Sequence, residues 1–147
     1  MNIKRVEGSD IDALKLISEK ALRESVDAEK SEIEEFVIHT ANNIDTHIND
    51  KKCIFLKSVS GNIVIGYILV KEYWNLSDLF VLPGHQRFGV GTLLLSNAIE
   101  ISKKHGVGYM HLNSAVSAVG FYTKFGFITS KSHASKHINT VALEIKF

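Results

Sequence analysis

Apolar residues recur along this chain in two different periods, and the changes of period mark its elements. Residues 2–6 alternate as a short strand and stop at Glu7-Gly8. Ser9 then caps a helix running to about residue 23, with Ile11, Leu14, Ile17 and Ala21-Leu22 on one face. Ser31-Glu32-Ile33-Glu34 has the form of a capping box, which predicts a second helix with Ile33, Phe36-Val37, Ile44 and Ile48 on its apolar side. The middle is β-rich: Cys53 to Leu56, and Ile63 to Val70, joined by the hairpin signal Ser60-Gly61-Asn62. A strand from about Trp74 to Leu82 ends at Pro83-Gly84. From Gly89 the period is helical again, through Val90, Leu93-Leu94, Ala98 and Ile101, and Lys103-Lys104-His105-Gly106 ends it. Strands near 108–113, 126–131 and 139–146 and a short helix near 116–124 complete the chain. The expected architecture is a single domain over 1–147, of mixed α/β (α+β) layers with strands that meander before a helical crossover.

Composition supports a packed core and narrows the partners. Of 147 residues, 45% are hydrophobic and 22% charged, and seventeen basic side chains face sixteen acidic ones. A net charge of +1 supplies no field for nucleic acid or an anionic membrane. The single cysteine, Cys53, excludes an intramolecular disulfide. With no apolar run near 20 residues and no apolar leader after Met1, the expectation is a soluble, cytoplasmic protein without a membrane partner.

The candidate chemistry lies where a strand meets a helix, in Leu79-Phe80-Val81-Leu82-Pro83-Gly84-His85-Gln86-Arg87-Phe88-Gly89-Val90-Gly91-Thr92. A helix start leaves backbone N–H groups unpaired at the positive end of the dipole. Gly89 and Gly91 clear the space above them and Arg87 adds charge, an arrangement suited to a pyrophosphate. A tight turn that needs small residues would use the same glycines. The spacing matches neither a dinucleotide-binding G-x-G-x-x-G nor a Walker A loop.

A second segment supplies a partner to the first. Gln86 to Gly91 reads [Q/R]-x-x-G-x-[G/A], and Ala118-Val119-Gly120-Phe121-Tyr122-Thr123-Lys124-Phe125-Gly126-Phe127 reads A-x-x-[F/L]-Y-x-x-x-G-F. In motifs and element order the chain resembles the GNAT superfamily of N-acetyltransferases over nearly its whole length. The resemblance implies a mostly antiparallel central sheet of about six or seven strands, helices on both faces, and strands 4 and 5 splayed apart. It implies acetyl-coenzyme A as co-substrate, without a metal, and a primary amine of a small molecule, peptide or protein as acceptor. The pyrophosphate would lie on Gln86, Arg87, Phe88, Gly89, Val90, Gly91 and Thr92. The pantetheine amides would pair with Phe80 and Val81, and Val81 N–H is the candidate donor to the carbonyl oxygen. Tyr122 would protonate the departing thiolate, although its neighbours Phe121, Phe125 and Phe127 equally suit a core aromatic. Where relatives carry a cofactor-binding asparagine or serine this chain has Ala115, so Asn113 or Ser114 would substitute.

Relatives that use a glutamate base carry it at the position of Ser77, followed here by Asp78. Strand alternation groups Ser77, Leu79 and Val81 on one face, and Trp74, Leu76, Asp78 and Phe80 on the other. Asp78 would then point away from the cleft or anchor the loop. A water-mediated relay and Glu72 are alternatives, and no base is assigned. Other features read more plainly. His133 and His137 have the i,i+4 spacing of helical zinc pairs, but their segment is polar and lacks a carboxylate, as a solvated loop between the last strands would; the resemblance implies that such a loop can border the acceptor site. His111 reads as an ordinary strand residue, with a place near the cleft as the alternative. Tyr73-Trp74 shields the sheet or lines the acceptor pocket, and Arg23, Glu24, Ser25 and Asp27 are polar candidates between the first helices. Val141 to Ile145 offers an edge for a homodimer. Two other functions remain open: an acyl-coenzyme A-binding module without catalysis, and a different phosphate-ligand binder.

Overall fold

The central runs are apolar at consecutive positions because both of their faces need cover. Cys53, Phe55, Tyr67 and Leu69 pack with Leu14, Ile17 and Ile44 on one side of the sheet. Ile54, Leu56, Ile68 and Val70 pack with Val90, Leu94, Leu95, Ala98 and Ile99 on the other. A computed structural model describes residues 1–25, 28–131 and 140–147. His133, His137, Asp27 and the side chain of Ser25 lie outside the described residues.

The strands are β1 (Asn2–Arg5), β2 (Cys53–Ser60), β3 (Ile63–Lys71), β4 (Asn75–Val81), β5 (Tyr109–Ala115), β6 (Ile128–Thr129) and β7 (Thr140–Lys146). The helices are α1 (Ile11–Ser25), α2 (Lys30–His47), α3 (Val90–Lys104) and α4 (Val119–Phe125). One seven-stranded sheet runs β1-β2-β3-β4-β5-β7-β6. Its neighbours are antiparallel except β4 and β5. With α1 and α2 on one face and α3 and α4 on the other, the expected mixed fold is present.

Three expectations change in detail. A 3-10 turn over Gly8–Asp10 precedes α1, and the capping acceptor is Asp10 rather than Ser9. Asp10 Oδ2 accepts the Glu7 N–H at 2.7 Å while Lys57 Nζ pairs with the same carboxylate. Helix α2 begins at Lys30 after Glu29, so the box at Ser31 does not form. Glu34 instead meets Arg23, which also holds Glu19 and so clips α1 to α2. That guanidinium keeps the Glu34 carboxyl below its ordinary value. Finally, β7 is no open edge: β5 lies along one side and β6 along part of the other.

Gly66 sets how closely α3 approaches the sheet. A Cβ there would stand 3.0 Å from Phe80 O, 3.1 Å from Val90 Cγ1 and 3.3 Å from Leu94 Cδ1. Backbone on one side and core on the other leave little room to yield. Gly66→Ala should therefore cost about 1–3 kcal/mol, read as a lower midpoint in urea with an unchanged slope.

Candidate active site

The turn after β4 is built by its only proline and the glycines around it. Leu82-Pro83-Gly84-His85 closes with the His85 N–H donating to Leu82 O at 2.9 Å, Gly84 taking a φ of 92°. That is the type II geometry, with proline and then glycine at its centre. Gln86 Nε2 reaches back to Val81 O at 3.3 Å. Arg87 follows at a φ of 69°, and Gly89 at 81° is the N-cap of α3. The first helical bond runs from Leu93 N–H to Gly89 O. Ahead of it the N–H groups of Val90, Gly91 and Thr92 open the helix, and no side chain among the described residues caps them. Arg87, Phe88 and Gly89 are exposed beside this positive helix end. A left-handed arginine costs of order 1–2 kcal/mol, a strain that recurs at ligand clamps. The geometry leaves the uncapped N–H groups of a helix start beside an exposed arginine, the arrangement expected of an anion site.

Beside the cradle the sheet opens. Among the described residues β4 and β5 share one register pair, Asn75 opposite His111, with His111 N–H donating to Trp74 O at 2.8 Å. Beyond this rung the strands part. Leu82 N–H donates to Ile65 O, so alternation turns the backbone of Phe80 toward β3 and that of Leu79 and Val81 toward the gap. On the far wall the same alternation from His111 turns the backbone of Asn113 and Ala115 into the gap. Val81 is thus at the open edge, whereas Phe80 is bonded into the sheet and its ring packs 5.9 Å from Tyr67. Leu79, which the sequence reading did not select, shares the edge with Val81. Of the two polar candidates on β5, Ser114 is turned into the core at 2% exposure, and Asn113 stands at the wall. Asn113 Oδ1 is buried without a hydrogen-bond partner among the described residues, an acceptor that a bound amide or hydroxyl would satisfy.

Tyr122 enters from α4 on the α3 side. Its ring meets Phe121 and Phe127 edge-on at 5.1 and 5.5 Å and is 6% exposed, so it is a core aromatic as well as a cleft candidate. Burial, and then the charge of Asp78, hold its phenol well above the ordinary value. Asp78 itself corrects the expected face assignment. The β3–β4 register slips between Leu69 opposite Asp78 and Val70 opposite Leu76, which leaves Ser77 as an extra residue. Leu76 therefore joins Leu79 and Val81 on the α3 side, while Ser77 and Asp78 together face α2. Asp78 Oδ1 accepts Ser77 Oγ at 2.7 Å and Asn43 Nδ2 at 3.2 Å, and Oδ2 accepts the Tyr67 hydroxyl at 2.9 Å. Burial pushes the Asp78 carboxyl above its ordinary value despite these donors.

The rung is framed by aromatic rings. Trp74 N–H donates to Lys71 O across Glu72 and Tyr73, whose φ angles of 54° and 66° make a type I′ turn without glycine. The Trp74 ring lies 5.7 Å from Tyr109 and 6.2 Å from His111. Tyr73 stacks on His105 at 3.9 Å. The Glu72 carboxylate accepts Trp74 Nε1 at 3.3 Å and is held at the turn. His111 is buried opposite the buried Glu144 of β7.

Comparison with known proteins bears on this arrangement. The family model described as an acetyltransferase (GNAT) domain matches residues 16–147. Streptothricin acetyltransferase of Streptomyces lavendulae is 26% identical over 72 residues, 47% of this chain and 38% of that protein. The match thus spans less than half the length of that curated relative. The PaiA N-acetyltransferase of Thermoplasma acidophilum, solved in complex with coenzyme A, superposes with a TM-score of 0.85 at 21% identity, over 99% of this chain and 98% of that one. A GCN5-related N-acetyltransferase of Rhodopseudomonas palustris gives 0.87 at 13% identity, over 99% and 95%. At these identities the likeness is one of fold.

Proposed function

The chain belongs to the GNAT acetyltransferase family, and from that premise we propose that it transfers the acetyl group of acetyl-coenzyme A to a primary amine by direct attack with both substrates bound. The single β4–β5 rung carries the reading. A sheet that stops pairing beside an uncapped helix start offers two lengths of unpaired backbone and an anion site in one groove. A ligand with a pyrophosphate, a chain of amides and a reactive end fits those features in order. Acetyl-coenzyme A would supply an activated acyl group as a thioester.

Each protein group then has a task. The N–H groups from Gly89 to Thr92, with Arg87, hold the pyrophosphate, and Gln86 braces the turn from Val81 O. Leu79 and Val81 present backbone donors and acceptors to the pantetheine amides. Asn113 Oδ1 takes a donor from the ligand. The Val81 N–H, fixed in the strand, steadies negative charge that develops on the carbonyl oxygen. Tyr122 keeps its proton until a desolvated sulfur is basic enough to receive it. Holding amine and thioester together contributes much of the remaining acceleration.

Isothermal titration with acetyl-coenzyme A tests the cofactor, and absence of binding at sub-millimolar ligand would sink the reading. Thiol release against a panel of amines tests transfer. Tight binding without thiol release from any amine would leave an acyl-coenzyme A-binding module instead.

A further inference from the structure

The residue that receives the amine's proton has no obvious occupant in the strand pattern, yet the bulge in β4 supplies one. Alternation would place adjacent side chains on opposite faces. The extra residue at Ser77 places Ser77 and Asp78 on the same face, close to the rung where the gap begins. Ser77 is exposed, and its hydroxyl donates to the buried Asp78 carboxylate at 2.7 Å. Asn43 of α2 donates to that hydroxyl at 2.6 Å, which fixes its orientation and leaves one lone pair open. Tyr67 and Asn43 secure the carboxylate from behind. Tyr122 lies on the opposite face of the sheet, in the core under α3.

We propose that Ser77 Oγ and the Asp78 carboxylate form a proton relay that removes the proton of the acceptor amine, with Ser77 touching the nitrogen and Asp78 acting through it. The relay rests on the acetyltransferase reading given above. As the nitrogen lone pair forms the N–C bond, Ser77 Oγ accepts the nitrogen's proton and passes its own to Asp78 Oδ1. Tyr122 gives its phenol proton to sulfur as the C–S bond breaks with its electron pair on sulfur. Asp78 and Tyr122 then return to carboxylate and phenol by proton exchange with solvent.

The groups that set the titration of Asp78 are Tyr67 of β3, Ser77 beside it, Asn43 of α2 and Lys71 at the end of β3, with burial the largest influence. The relay works only while Asp78 is ionised. Activity should therefore fall as pH drops through a value above that of an ordinary aspartate.

The test uses the full chain, acetyl-coenzyme A and saturating 2,2,2-trifluoroethylamine, an amine of low basicity, so that kcat reports groups of the ternary complex and not the protonation of free amine. Wild type should show that limb in kcat. Ser77→Ala should lower kcat about 10-fold or more and Asp78→Asn about 100-fold. Ser77→Thr should retain most of the activity, and acetyl-coenzyme A should bind all three variants within about 2-fold of wild type by calorimetry. Independently of turnover, carbon NMR titration of the free protein should show the Asp78 carboxyl moving up in Ser77→Ala, because a donor to the charged form is lost. Ser77→Ala with wild-type kcat and an unmoved acid limb would overturn the relay. So would a limb that follows His111→Gln instead, or an intact acetyl-coenzyme A complex without turnover. Failure to bind acetyl-coenzyme A at all removes the underlying acetyltransferase reading, a distinguishable result.

Discussion

Gly89→Glu is expected to abolish acetyl-coenzyme A binding at accessible concentrations while leaving the protein folded. Gly89 caps α3 at a φ of 81°, and a Cβ added there meets nothing within 4 Å. The stability cost is therefore conformational, about 1–2 kcal/mol for a left-handed non-glycine residue. A carboxylate at a helix start returns about 0.3–1 kcal/mol of it. Binding suffers far more. The new charge sits on the donors proposed to hold the pyrophosphate, and two like charges about 4 Å apart repel by about 4 kcal/mol near a surface. A loss of about 1,000-fold in Kd follows. Calorimetry measures it, and a circular dichroism melt within a few degrees of wild type shows that the fold survives. Retained affinity would move the anion site away from α3.

Tyr122→Phe should lower kcat by about 100-fold or more with little change in the KM for acetyl-coenzyme A. The substitution keeps the ring that packs against Phe121 and Phe127, so stability should change by less than about 1 kcal/mol. The reaction loses the proton for sulfur but not the groove. Because burial and the Asp78 charge hold the phenol well above its ordinary value, wild type should keep its acid throughout the neutral range. A variant with unchanged kcat would return Tyr122 to a purely structural role.

The legible parts of this fold are those written in periods. The helical spacing after Gly89 and the runs around Phe55 and Ile68 are dictated by faces that need burial, and the structure places them as expected. The turn at Pro83-Gly84 and the helix start after Gly89 are readable from proline, glycine and the change of period, whereas the use of that turn as an anion site comes from the resemblance and not from the glycines alone. What the pattern hid was register. Alternation put Asp78 on the face of Leu76, and a single extra residue at Ser77 reversed that relation. The sign available in advance was two consecutive polar residues, Ser77 and Asp78, inside the strand. Asn43 and Tyr67 carry no such sign. They meet Asp78 across 35 and 11 positions of chain, a proximity created by packing. Phe80 was selected over Leu79 for the same reason: which backbone groups face a gap depends on a pairing partner that the strand itself does not name.

The lone rung at Asn75 and His111 has a consequence for how this molecule breathes. The sheet behaves as two ribbons, β1 to β4 and β5 to β7, joined along most of their length by side-chain packing of α3 and α4 rather than by main-chain bonds. Among the described residues the register turns the amides of Leu79, Val81, Asn113 and Ala115 toward the gap, so they should exchange with deuterated solvent early in the free protein. Filling the gap would lend them partners and slow that exchange most on the two facing edges, leaving the outer ribbons nearly unaltered. Deuterium uptake would then trace the outline of the groove residue by residue.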